Sequence, residues 1–241
     1  MPVWNPWHGC KKISAGCQNC YVYRIDKKHG KNSMIVNKTA EFDLPVRQNK
    51  NLEYKLHSEK NDYVYTCFSS DFFLEEADKW RAEAWKMIKI RKDLNFFIIT
   101  KRIHRFEKSL PDDWGSGYEN VTIGCTVENQ DRADFRLPLF LDCKIKNKVI
   151  ICEPLLENVN LLPYLDSTIN LVVVGGESGG DARICDYEWV LNIRNQCIDS
   201  CVSFNFRQTG TYFRKDDKIY TLDRKIHHIQ ARKANIDYKF K

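Results

Sequence analysis

The sequence predicts an α/β protein of parallel βα repeats, forming a full or partial (β/α) barrel, and three observations predict it. Six short apolar runs rich in β-branched and aromatic residues recur along the chain. Segments of helical periodicity lie between several of them, and polar groups follow every run. Unbroken apolar runs suit strands buried on both faces, as in a parallel sheet covered by helices. Strands alternating with helices imply crossover connections.

The first strand is expected over 63–68, followed by Ser69-Ser70-Asp71. A helix should follow, because Leu74, Ala77, Trp80, Ala84 and Ile88 share one face at spacings of three and four. Positions 96–99 give a second strand ending on Thr100-Lys101-Arg102, and 121–125 a third ending on Thr126-Val127-Glu128-Asn129. The fourth, 149–152, runs into Glu153-Pro154, and the fifth, 171–174, into Gly175-Gly176-Glu177. Asp186 then starts a helix with the apolar stripe Val190, Ile193, Cys197, Cys201. The sixth strand, 202–206, ends on Arg207-Gln208. One such polar end is explained by a helix N-cap, a role that suits Ser70 or Asp71. Six of them predict a lined cavity at the carboxyl edge of the sheet, where such folds place their active sites.

The 241 residues, 43% of them hydrophobic, suffice to bury a substantial core. The expected division is one barrel domain over 1–210, with a cysteine loop at 4–21, and a basic extension over 211–241. No run approaches the roughly 18 apolar residues that span a bilayer. Met1-Pro2-Val3-Trp4 also lacks the charged and apolar regions of a secretory signal, so a cytoplasmic location is expected. In that reducing compartment the ten cysteines need an explanation other than disulfides. The net charge of +6 permits a polyanionic partner without demanding one. Basic residues gather at 101–105 and 224–241, where such runs can grip phosphates but are more often solvated surface.

Three cysteines stand closer together than packing requires, in Trp7-His8-Gly9-Cys10-x6-Cys17-x2-Cys20-Tyr21. Thiolates so placed hold zinc or an iron–sulfur cluster. Three ligands imply an iron with an open position or a fourth donor, and His8 or His29 would close a zinc knuckle. Cys10 as a plain small core residue is the remaining reading. A second cluster at Cys185, Cys197 and Cys201 is a weaker account than the helical stripe.

The strings Trp4-Asn5-Pro6-Trp7-His8-Gly9-Cys10 through Cys20-Tyr21, Thr100-Lys101-Arg102, Gly124-Cys125-Thr126-Val127-Glu128-Asn129, Cys152-Glu153-Pro154-Leu155-Leu156 and Val174-Gly175-Gly176-Glu177-Ser178-Gly179 resemble a phage-associated three-cysteine-motif family of unassigned function. The likeness runs over positions 4 to 210. That family resembles a divergent branch of the radical S-adenosylmethionine (SAM) enzymes. The resemblance implies a radical SAM type of barrel and a [4Fe-4S] cluster on Cys10, Cys17 and Cys20, with SAM on the fourth iron and an electron donor to the cluster. The six residues between Cys10 and Cys17, where the usual spacing has three, are a departure that lengthens the first loop.

The same resemblance assigns further residues. Tyr21 would cover the cluster and the SAM adenine, with an ordinary core aromatic as its alternative. Ser69-Ser70-Asp71 stands where an early strand end binds the SAM amino group, since Gly175-Gly176-Glu177 lies too late in the chain for that element. Asp71 would accept from the ammonium, and Thr126 and Glu128 would meet the ribose and the carboxylate side. Thr100, Glu153, Gly175, Gly176 and Glu177 complete the expected cofactor set, the two glycines letting backbone approach the adenine or substrate. Lys101, Arg102, Arg207 and Gln208 would take an anionic substrate, a nucleotide or nucleic acid being possible. Two other classes remain: a zinc-stabilised nucleic-acid-binding protein, and a metal-independent hydrolase or lyase using Asp71, Glu128, Glu153 and Glu177 as acid and base.

Overall fold

The computed structural model describes residues 2–59 and 62–240, so Met1 and Lys241, the outer limits of the expected division, lie outside the described residues. In chain order the strands are β1 (Val3–Trp4), β2 (Trp7–His8), β3 (Asn37–Lys38), β4 (Tyr63–Thr66), β5 (Asn95–Thr100), β6 (Val121–Thr126), β7 (Asn147–Cys152), β8 (Ile169–Gly175), β9 (Cys185–Asp186), β10 (Ser203–Gln208), β11 (Tyr212–Lys215) and β12 (Lys218–Thr221). The helices are α1 (Tyr21–Lys28), α2 (Asp78–Ile90), α3 (Gln130–Asp142), α4 (Tyr187–Asp199) and α5 (His227–Ala234). Seven strands form one sheet in the order β1-β4-β5-β6-β7-β8-β10. Pairing is parallel at β1/β4, β4/β5, β7/β8 and β8/β10, as the unbroken apolar runs require. The order follows the chain without reversal, beginning at β1 and ending at β10.

The chain divides into two compact units, each assembled from separate stretches. The first comprises Met1–Lys12, Val22–Gly124 and Cys143–Asn147. Its core is aromatic: Trp4, Phe72, Phe73, Trp85, Phe96 and Phe106 are fully buried. Edge-on contacts such as Phe72 with Trp85, ring centres 4.9 Å apart, give a preferred geometry in addition to burial. Of the predicted stripe, Leu74, Ala77, Ala84 and Ile88 are buried in this core and Trp80 is half-buried, while Trp85, outside the stripe, is buried beside them.

The second unit comprises Ile13–Tyr21, Cys125–Asp142 and Lys148–Lys241. The Asp186 side chain caps α4 by accepting from the Glu188 N–H at 3.0 Å. Val190, Ile193 and Cys197 are fully buried, so the predicted stripe holds for three of its four members. Cys201 leaves it: the helix ends at Asp199, and Cys201 takes φ +57° with its thiol exposed as the chain turns into β10. The region expected as an extension is folded into this unit. β11 pairs with β9 and β12, and Tyr238 exchanges backbone hydrogen bonds with Phe204 at 2.7 and 2.9 Å, covering an edge that β10 would otherwise leave open. Among the described residues no helix is long and apolar enough to cross a membrane.

Candidate functional site

In the first unit the carboxyl ends of β4 and β5 hold the segment that carries Cys10. The chain reaches it through Gly9, at φ +96°, where a Cβ would come within 2.3 Å of the Ile35 carbonyl oxygen, so glycine is required. Ser69 Oγ donates to the Trp7 carbonyl at 3.1 Å, Ser70 Oγ donates to the Gly9 carbonyl, and the Gly9 N–H donates to the Ser69 carbonyl at 3.2 Å. Both serines are thus fasteners of the approach to Cys10, whose own N–H donates to the Ser33 carbonyl at 2.7 Å.

Asp71 is buried and fully engaged. Its Oδ1 accepts from Thr100 Oγ1 at 2.8 Å and the Phe73 N–H at 3.0 Å, and its Oδ2 from the Lys101 N–H at 3.0 Å and Arg102 Nη1 at 3.2 Å. Four donors fill the acceptor sites of a carboxylate, so the ammonium expected here would have to displace one of them. Arg102, expected to face a substrate anion, is also buried; Nη2 donates to the Lys11 carbonyl at 2.6 Å, and Nη1 stands 3.8 Å from Cys10 Sγ. A guanidinium beside sulfur favours the thiolate. Asp71 acts here as the residue that aims Arg102 at Cys10. His8 Nε2 lies 2.9 and 3.0 Å from the two oxygens of Asp26, which also accepts from Ser33 Oγ at 2.5 Å, whereas His29 is exposed.

In the second unit the turn bearing Cys17 and Cys20 is tied to two buried carboxylates at strand ends. A 3-10 turn covers Ala15–Cys17, and the Cys20 N–H donates to the Cys17 carbonyl at 3.3 Å. The Gly16 N–H donates to Glu128 Oε1 at 3.0 Å, just beyond β6. Asn19 Nδ2 donates to Glu177 Oε2 at 3.0 Å, just beyond β8, and Arg183 Nη2 to the Ala15 carbonyl at 3.0 Å. Each carboxylate has its own arginine. Glu128 Oε2 pairs with Arg136 Nη1 at 2.8 Å with both side chains excluded from water, and Glu177 Oε1 with Arg183 Nη2 at 2.5 Å. Glu128 and Glu177, both expected to bind cofactor, are therefore committed to the cysteine turn. Tyr21 follows it, at the start of α1 and exposed. Sequence reasoning did not single out Arg136, Arg183 or Asn19. Arg136 carried a readable signal, because it occupies the buried face of α3 between Ala133 and Phe140, where a cation needs a partner.

Burial raises the Glu177 carboxyl, but hydrogen bonds from Arg183 and Asn19 and the Arg183 charge more than offset it and hold the group below the usual carboxylate range. A depressed folded pKa contributes stability that is present above the unfolded value, about 4.3, and is lost as pH falls through the folded one. Melting temperature measured from pH 6 to pH 3 is expected to fall less in Glu177→Gln than in the parent, because the variant has no such group to protonate.

At the carboxyl ends of β7, β8 and β10, Glu153 Oε1 accepts from Gln208 Nε2, while Oε2 is buried without a hydrogen-bond donor and Arg207 Nη1 stands 3.5 Å away. Gly175 makes room for that carboxyl: a Cβ there would come within 2.8 Å of Glu153 Cδ. At Gly176 a Cβ would come within 2.2 Å of the Thr209 carbonyl oxygen, so the chain itself takes the space expected for a ligand. Thr126 is fully buried, its Oγ1 likewise without a partner. Burial pushes the Cys152 thiol up and that of Cys197 to about 12, in keeping with a packing role.

Among the described residues no group of three or more His, Cys, Asp or Glu side chains is arranged to hold a metal ion. Within each unit, by itself, polar strand ends of a parallel βα sheet are spent on fastening a cysteine-bearing segment, which places the protein in the parallel α/β class with a loop held at its strand ends. The chain belongs to the family described as protein of unknown function, DUF5131, which matches residues 2–237. No curated protein and no solved structure matches it.

Proposed function

We propose that the protein is a radical SAM-type enzyme with a partial (β/α) barrel, in which Cys10, Cys17 and Cys20 hold a [4Fe-4S] cluster and the substrate is anionic, a nucleotide or nucleic acid being candidates. The observation that carries this reading is selective. Six of the ten cysteines are buried and Cys201 lies on a turn, whereas the three of the motif are partly accessible on segments fastened to strand ends. The residues fit the group in donor chemistry: three thiols in reach of solvent, and a guanidinium 3.8 Å from Cys10 Sγ that favours its thiolate. Held by these three cysteines, such a cluster would supply the electron for reductive cleavage of SAM, the chemistry by which a hydrogen atom would be taken from substrate.

The chain's own part is to bind, orient and exclude. Arg102 compensates the negative charge at Cys10, and Glu128 and Glu177 fix the backbone around Cys17 and Cys20. A ligating turn held at three points loses little entropy when the group binds. Reconstituted without oxygen and given dithionite as electron donor, the protein is expected to convert SAM to 5'-deoxyadenosine and methionine, measured by chromatography; intact SAM after many hours overturns the reading. The second reading is a zinc-stabilised nucleic-acid-binding protein, which the Asp26 carboxylate against His8 favours, since metal-ligating histidines commonly carry such a partner. Metal analysis separates the two readings.

A further inference from the structure

The feature of the second unit that remains unused is the Glu153 carboxyl. Carboxylate oxygens only accept, and a buried one without a donor is costly, so native structures rarely leave one so. Glu153 Oε2 is such an atom. Its surroundings are built rather than accidental. Residues 207 and 208 of a regular strand would point to opposite faces. The register of β10 against β8 shifts between Phe206 and Gln208, a bulge that brings both side chains to the same carboxyl. Gln208 closes Oε1, and its own amide oxygen accepts from Ser178 Oγ at 3.2 Å. Ser178 Oγ in turn lies 3.4 Å from Nδ1 of the fully buried His227, whose Nε2 meets the Leu222 carbonyl at 3.1 Å. This chain fixes the Gln208 amide and therefore the carboxyl. Arg207 is half-exposed, 3.5 Å from Oε2, too far for a good hydrogen bond and with donors to spare.

One acceptor in need of a donor, beside a guanidinium with free donors, is the complement of an ammonium and a carboxylate borne on one carbon. We infer that Glu153 and Arg207 bind the zwitterionic end of an α-amino-acid group, Glu153 Oε2 taking the ammonium and Arg207 the carboxylate. The inference rests on the proposed function only in naming SAM as the molecule that bears this group. It assigns the amino-acid end to these residues rather than to Asp71, whose acceptor sites are filled.

The test is calorimetric titration of the full chain with S-adenosylhomocysteine, its decarboxylated analogue and methylthioadenosine, the last lacking the amino-acid group. Glu153→Gln is expected to weaken S-adenosylhomocysteine at least tenfold and to leave methylthioadenosine unchanged. Arg207→Met, at a half-exposed position, is expected to weaken S-adenosylhomocysteine and spare the decarboxylated analogue. Equal binding of S-adenosylhomocysteine by Glu153→Gln and the parent overturns the inference while leaving the radical reading intact. Equal weakening of methylthioadenosine also overturns it, since Glu153 would then be reading the ribose. If the parent binds neither S-adenosylhomocysteine nor SAM, the radical reading fails, and saturation-transfer NMR with L-methionine decides the inference. A signal lost in Glu153→Gln supports it, and no signal, or an equal one, overturns it.

Discussion

Alanine at Cys10, Cys17 or Cys20 is expected to give protein that folds but stays colourless after anaerobic reconstitution, against a brown parent carrying about four irons, since clusters of this type depend on thiolate ligands. Folding should survive because all three side chains are only partly buried and the backbone around them is fastened by other residues. Cys197→Ala is the matching control. Its thiol is fully buried on α4, so it should retain iron and lose about 1–2 kcal/mol of stability through lost packing. Iron and zinc analysis alongside circular dichroism reads both effects. One zinc per chain and no iron in the parent would favour the zinc reading.

The largest stability effect is expected at Glu128. Its side chain and that of Arg136 are excluded from water, and removing one partner of a buried pair leaves the other charge uncompensated, at a cost of about 3–5 kcal/mol. Arg136 already has one buried donor, Nε, without a partner, so it has little capacity to compensate. Glu128→Ala should therefore lower the stability read by urea unfolding by a large fraction of a typical domain's total of about 5–15 kcal/mol. The double variant Glu128→Leu, Arg136→Met is expected to recover much of it, because it removes both charges together. Loss of the acceptor for the Gly16 N–H should also make the Cys17 thiol react faster with a disulfide reagent in both variants. Unchanged reactivity would mean that the turn is held without Glu128.

The six apolar runs became β4, β5, β6, β7, β8 and β10, because parallel strands buried on both faces write their position as continuous hydrophobicity. β1 is two residues long and carries no periodicity to read. Pro138 lies inside α3 and signals a break where the helix continues, so that helix went unmarked. At the strand ends the residue types were legible and their partners were not. Asp71, Glu128 and Glu177 announce themselves as carboxyls after strands. That Arg102, Arg136 and Arg183 answer them is set by the fold, and the bulge that gathers Arg207 and Gln208 onto Glu153 leaves no mark in the order of residues.

The fastening of Gly16 by Glu128 spans 112 positions of chain, and that of Asn19 by Glu177 spans 158. Ribosomes add residues in order, at roughly 5–20 per second, so on the order of 10 s separates synthesis of the cysteines from synthesis of what orders them. During that interval the emerging peptide presents the thiols without the two carboxylates that later hold their turn. Under the proposed cluster reading, loading before release and loading after release would thus be different reactions, the first with a flexible peptide and the second with a held turn.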